Sequence, residues 1–341
     1  MRLLNLLLFF PIILAAQSDF LKKPDVVWAT LIEQDWEVDN LPLESSSDFG
    51  VTTIKLLQTE KTKKYPSPIT LSTLVFDAAT SGSLPIFKDP GCTTPTDWHG
   101  LFKLSDNHAV NPETGEIADA SEVIFGQQPF LIRAWRLRQV LAYHKKSATW
   151  STTVESIAPL MKVLNREGDS IGIRPLFWFR PDNKRQKLSS NRIVWAKKTR
   201  NKQPNTQVPT NPKLIVKLED GFQFPLAHSF RVFSTEMKTP FYDVLNEKIL
   251  SPDERRNLIS KTDTVATFDP ETYEEKVFTV QNDLDPLDVR QLMLIQTWYW
   301  DERRARLSIC LDAVGPMIDI MSSEGNFRFS RPLFYRRAKG R

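Results

Sequence analysis

The chain has 341 residues, 41% of them hydrophobic and 11% aromatic, with 45 Lys and Arg against 41 Asp and Glu for a net charge of +4. That length suits two domains of ordinary size, each apolar enough to bury a core. The charge balance is far from that of a nucleic-acid-binding chain, so no nucleic-acid partner is expected.

The N-terminus reads as an export signal over residues 1–16. Arg2 gives a short positive start, Leu3–Leu14 is almost wholly apolar, and Ala15-Ala16 precedes the polar Gln17-Ser18-Asp19. The apolar run is too short to span a bilayer comfortably, so an exported, soluble protein is expected. Residues 17–65 form a lead-in containing Val26-Val27-Trp28 and Asn40-Leu41-Pro42-Leu43.

A first lobe is assigned to 66–182. It opens with a predicted helix over Pro68–Ala79, whose Ile69, Leu71, Leu74 and Val75 make one apolar stripe. A turn at Asn111-Pro112 follows, then a β-hairpin with the tip His144-Lys145-Lys146-Ser147. Residues 183–224 are read as a linker between lobes. Its first thirty residues carry Lys184, Arg185, Lys187, Arg192, Lys197, Lys198, Arg200 and Lys202 and no acid, and Pro204, Pro209 and Pro212 close the stretch. Such a segment is either solvated or a contact for an acidic partner, with Ile193-Val194-Trp195 as a short strand or anchor. The second lobe, 225–341, repeats the plan with strands over Val289–Trp300 and Arg306–Val314 around the charged tip Asp301–Arg304.

The two lobes share sequence as well as plan. Glu167-Gly168 and Arg174-Pro175-Leu176-Phe177-Trp178 return as Glu324-Gly325 and Arg331-Pro332-Leu333-Phe334-Tyr335, because 324 − 167 and 335 − 178 both equal 157. From Trp135/Leu292 onward there are 11 identities in 44 pairs, Gln139/Gln296 and Pro159/Pro316 among them. Asn111-Pro112-Glu113-Thr114 echoes Asp269-Pro270-Glu271-Thr272. A helix and an antiparallel hairpin-based sheet, present twice, make an α+β fold of two homologous lobes.

No catalytic, cofactor or metal motif stands out: neither glycine-rich nucleotide loop, nucleophile elbow nor paired zinc histidines occur. His99 and His108 near Asp97 and Asp106 read as exposed loop histidines. Glu155 and Asp312 are corresponding carboxylates within strands, and their expected partners are Arg174 and Arg331, whose planar guanidinium forks suit carboxylates. Cys92 and Cys310, which do not correspond, are either a disulfide or two free thiols. Consecutive aromatics on a strand face opposite sides, so Trp298-Tyr299-Trp300 cannot all enter one core. Trp298, Trp300, Arg303, Phe334, Tyr335, Phe177 and Trp178 are therefore the expected assembly interface, with packing between the lobes as the alternative. Replacing Trp300 and Phe334 together is expected to disrupt assembly and leave a folded protein.

Thr297-Trp298-Tyr299-Trp300-Asp301, the basic tip, Arg306–Leu311 and Val314-Gly315-Pro316-Met317 resemble the core of the GldN/PorN proteins of Bacteroidetes gliding motility and type IX secretion. Both copies of Arg-Pro-Leu-Phe-aromatic resemble that family's Pro-Leu-Phe-Trp segment, and Val26-Val27-Trp28 its N-terminal elements. The family's long tail beyond that segment has no counterpart here, and two copies of the core depart from its usual pattern. The resemblance implies a non-enzymatic periplasmic subunit, peripheral to the outer membrane, that self-associates into a ring. Its implied partners are an outer-membrane lipoprotein of the GldK/PorK type and other periplasmic secretion components. The competing reading is an exported ligand-binding protein or hydrolase that uses the groove between lobes.

Overall fold

Alternation of side chains writes the first strand. Over Val26–Glu37 the residues Trp28, Thr30, Ile32, Gln34 and Trp36 fall on one face, while Glu33, Asp35 and Glu37 lie exposed on the other. The computed structural model describes residues 21–37, 70–99, 101, 132, 134–164, 170–183, 192–204, 215–221, 225–236, 238–245, 247–268, 275–286, 289, 291–321 and 326–338. The predicted export signal and both Asn/Asp-Pro-Glu-Thr turns lie outside them, as do His108 and Asp106.

The strands are β1 (Val26–Glu37), β2 (Ile86–Phe87), β3 (Pro95–Thr96), β4 (Ala134–His144), β5 (Thr149–Leu164), β6 (Ser170–Pro175) and β7 (Ile193–Pro204). They continue with β8 (Ile215–Leu218), β9 (Ser260–Phe268), β10 (Glu275–Asp283), β11 (Gln291–Asp301), β12 (Arg306–Met321), β13 (Phe327–Pro332) and β14 (Arg336–Arg337). Among the described residues three short helices accompany them: α1 (Leu71–Thr80), α2 (Pro225–Thr235) and α3 (Pro252–Ile259). The architecture is α+β with sheet dominant. One antiparallel sheet runs β6-β5-β4-β1-β8 and a second runs β13-β12-β11-β7, with β14 also on β12, while β9–β10 and β2–β3 form two-stranded sheets.

Strands β6-β5-β4-β1 of the first sheet match β13-β12-β11-β7 of the second, and β8 has no counterpart among the described residues. Hairpin β4–β5 matches β11–β12, and each carries one bulge at the same place. Arg138 faces Ser156 and Gln139 faces Val154, which leaves Glu155 as the extra residue. Ile295 faces Ala313 and Gln296 faces Leu311, which leaves Asp312 as the extra residue. Each hairpin turn holds an alanine at positive φ, Ala148 at 45° and Ala305 at 48°. Beyond the edge strands, Leu176 N–H donates to Pro159 O at 2.9 Å and Leu333 N–H to Pro316 O at 2.8 Å. Trp178 then exchanges backbone bonds with Phe87 at 2.8 Å, as Tyr335 does with Tyr242 at 2.9 Å.

The expected linker is corrected here, because residues 193–204 are strand β7. It pairs with β11 along its whole length and occupies the place that β1 holds beside β4. Trp28 faces Tyr143 and Trp195 faces Trp300, so the triplets Val27-Trp28-Ala29 and Val194-Trp195-Ala196 fill one role. β7 is basic by alternation. Trp195 and Thr199 point inward with the buried Lys197, and Lys198, Arg200 and Lys202 alternate on the other side.

A single core joins the halves. Trp28, Trp36, Trp135, Leu137 and Tyr143 of the first sheet share it with Leu292, Leu294, Trp298, Trp300 and Leu307 of the second. Trp36 meets Trp298 with ring centroids 5.8 Å apart. At the centre Gln296 Nε2 donates to Gln139 Oε1 at 2.8 Å, both side chains fully buried. Gln34 Nε2 donates to Lys202 O at 2.9 Å and reaches Asn201 Oδ1 at 3.4 Å. Gln34 and Asn201 also correspond, facing Leu137 and Leu294. Contact between corresponding residues is the signature of an approximate two-fold axis.

The helices close the ends of this body. α1 begins at Leu71 behind Thr70, whose hydroxyl accepts from Thr73 N–H at 3.1 Å. Its Phe76 packs on Phe177, which meets Phe179 and through it Trp135. α2 presents Phe230 and Phe233 to Phe334. α3 starts with a capping box between Ser251 and Glu254.

Candidate interaction surfaces

The aromatics expected at an assembly interface are in the core instead. Trp298, Trp300, Phe334, Tyr335 and Phe177 are at most 2% exposed and Trp178 is 5% exposed. Phe334 stacks on Phe233 at 4.2 Å with 13° between planes and meets Phe241 edge-on at 5.1 Å. Alternation does send Tyr299 to the other face of β11, but there it packs with Ile193 and Cys310. Tyr335 likewise closes over Ile295 and Ala313. Both faces of β11 are covered by this chain, so these six aromatics are corrected to core. Arg303 alone of the expected set lies exposed, on the β11–β12 turn.

The matching ion pairs are also corrected. Arg174 faces Met161 and Arg331 faces Ile318, each six residues along the strand from its expected partner, or about 20 Å at strand rise. Both arginines are exposed on edge strands. The bulge re-aims each carboxylate elsewhere. Glu155 pairs with Arg138 at 3.0 Å, half buried, and the buried Asp312 accepts a hydrogen bond from Thr297 Oγ1. Residue 295, which corresponds to Arg138, is Ile, so Asp312 takes a hydroxyl in place of the guanidinium.

Chain separation hid one polar constellation from the sequence reading. His144 Nε2 lies 2.7 Å from Ser151 Oγ, and its Nδ1 lies 3.4 Å from Asp25 Oδ2. The order is that of a Ser-His-Asp relay, but each member has a local structural use. Asp25 Oδ1 accepts from Lys146 N–H at 2.8 Å, which ties the start of β1 to the β4–β5 turn, and His144 is 2% exposed. The corresponding residues in the second half are Arg192, Asp301 and Ser308, which keep the serine and lose the imidazole. No spacing signal could have joined positions 25, 144 and 151.

Arginines pin the second half together. Arg336 donates to Pro240 O at 2.6 Å, Ser147 O at 2.7 Å and Ala148 O at 3.2 Å, binding the first hairpin turn to the end of the second sheet. Burial pulls its pKa down. Arg255, buried in α3, donates to Thr239 O at 2.6 Å, Glu236 O at 3.2 Å and Leu250 O at 3.3 Å. Cys92 and Cys310 are both buried thiols outside any disulfide, and desolvation pushes the Cys92 thiol up to about 11, which leaves it protonated and unreactive.

Among the described residues large apolar side chains lie exposed at Ile173 of β6, at Leu218 of β8 and at two places in the second half. Phe327 and Phe329 on β13 are 60% and 53% exposed, and Leu245 and Ile249 in the loop before α3 are 52% and 55% exposed. Among the described residues no three His, Cys, Asp or Glu side chains group to hold a metal, and no helix is long and apolar enough to cross a membrane.

The fold and these side chains define a protein of packed halves and outward-facing surfaces. Residues 53–208 and 231–337 match the family of gliding motility associated protein GldN. The chain belongs to that family, whose members are components of gliding motility and type IX secretion. No curated protein matches it.

Proposed function

We propose that the chain is a non-enzymatic, exported subunit of a type IX secretion and gliding-motility assembly. In this reading it lies in the periplasm against the outer membrane and builds a ring with a lipoprotein of the GldK/PorK type. Family membership over most of the chain carries the proposal. The export signal read at residues 1–16 supports the location. An internal duplication accounts for two sheets with matching bulges, turns and backbone bonds. A fused pair closed on its own two-fold axis has used its symmetric surface internally, so further assembly must run through unlike surfaces, which generate rings when the rotation closes. The hydrolase reading has one specific observation behind it, the Asp25–His144–Ser151 arrangement.

One experiment weighs the two. In a strain whose secretion depends on this chain, Ser151→Ala is expected to secrete normally, because the loss removes one hydrogen bond from a packed hairpin. Abolished secretion from a variant that is still folded and still bound in the envelope would reverse the assignment toward catalysis.

A further inference from the structure

Two exposed apolar patches lie in the second half, one flanked by arginines and one by Glu247, and on β6 of the first half Ile173 is also exposed beside Arg174. At β13, Phe327 and Phe329 are exposed beside the exposed Arg328 and Arg331. The corresponding positions of the two phenylalanines in β6 are Ser170 and Gly172. Phe329 and Arg331 share a face, opposite Ile320 and Ile318 of β12. The ribbon end is therefore apolar and cationic.

The second patch is the loop Tyr242–Ile249. Val244, Leu245 and Ile249 are 37%, 52% and 55% exposed, and Glu247 and Lys248 are exposed among them, with the Lys248 ammonium held by Glu254 at 2.6 Å. The loop is held rigidly. Asp243 Oδ1 accepts from Glu247 N–H at 2.9 Å and Lys248 N–H at 3.3 Å, and Leu250 N–H donates to Phe241 O at 2.8 Å. Arg255 clamps the carbonyl of Leu250 from beneath. The corresponding loop of the first half turns Cys92 inward instead, under Trp178 and Ala158. A side chain held out on a braced loop loses little freedom on docking.

Both patches remain exposed within one molecule, so they do not cover each other. We propose that the β13 ribbon of one molecule docks on the 242–249 loop of a second copy, with the phenylalanines against Leu245 and Ile249 and the arginines toward Glu247. The contact is heterologous, so each copy keeps one donor and one acceptor free for the next. Apolar anchors ringed by complementary charge suit such an interface. This inference rests on the assembly reading above and assigns its faces.

Cysteine pairing tests it on the full chain. The buried thiols of Cys92 and Cys310 leave engineered surface cysteines as the reactive ones. Leu245→Cys and Phe329→Cys on separate molecules should give a disulfide-linked dimer when mixed under mild oxidation, and both on one molecule should give a ladder. Arg331→Glu or Glu247→Arg alone should weaken self-association about tenfold, and the two together should restore it. If the wild type sediments as an oligomer yet the mixture yields no crosslink, the contact lies elsewhere while the assembly reading stands. If the chain is monomeric at every concentration and in envelope extracts, both fall.

Discussion

Glu155 and Asp312 show how one residue's position in a ladder decides its role. Each is the extra residue of a bulge, so its side chain leaves the alternation that its neighbours obey. Beside the bulges sits the buried Gln139–Gln296 pair. Gln296→Leu strands Gln139 Oε1 without its donor and should cost about 1–3 kcal/mol, whereas replacing both by Leu should cost less than the sum of the singles. Urea denaturation of the three variants measures this. Gly315 is a second pressure point, since a Cβ there would lie 2.5 Å from Phe334 O and 2.8 Å from the Tyr335 ring. The corresponding Ala158 already fits under Trp178. Gly315→Ala should therefore destabilise by about 1–3 kcal/mol through overpacking, and Ala158→Gly by much less. His228 sets a pH dependence. Desolvation holds its pKa below 6.5, so the unfolded chain takes up a proton first as pH falls. Stability should fall as pH drops below about 7, and His228→Gln should flatten that fall in a series of thermal melts.

Among the elements, the aromatic strand β11 bears most of the core. Trp300→Ala should cost about 3–5 kcal/mol, and with Phe334→Ala should unfold the second half and not merely unmake an assembly. Thermal melts and near-ultraviolet dichroism of the double variant check this. Hairpins β4–β5 and β11–β12 were legible in the sequence because strand alternation and a charged tip survive in both. α1 was legible from its stripe. Of β7 only the start, Ile193-Val194-Trp195, was legible as a short strand or anchor, because its outward Lys198, Arg200 and Lys202 give the rest the composition of a solvated linker. Its kinship to β1 is visible only as a Val-Trp-Ala triplet at a spacing of 167 (195 − 28), out of step with the 157 that aligns the rest. The outward expectation for the aromatics fails for a similar reason. Alternation gives two faces to every strand, but not the later segments, Tyr242 and Tyr335 among them, that cover the second.

For the whole molecule, the two sheets share one core, which among the described residues fills the space between them. Trp36, Trp298 and the glutamine pair occupy the place where a groove between lobes was weighed. The assembly proposed above uses the outer surfaces of a chain whose family supplies components of gliding motility and type IX secretion. The most direct measurement is the mass and composition of the complex that the tagged, full-length chain draws from gently solubilised envelopes. The account predicts a large particle with many copies of this chain and a stoichiometric outer-membrane lipoprotein. A lone monomer or dimer, recovered under conditions that preserve other envelope complexes, would contradict it.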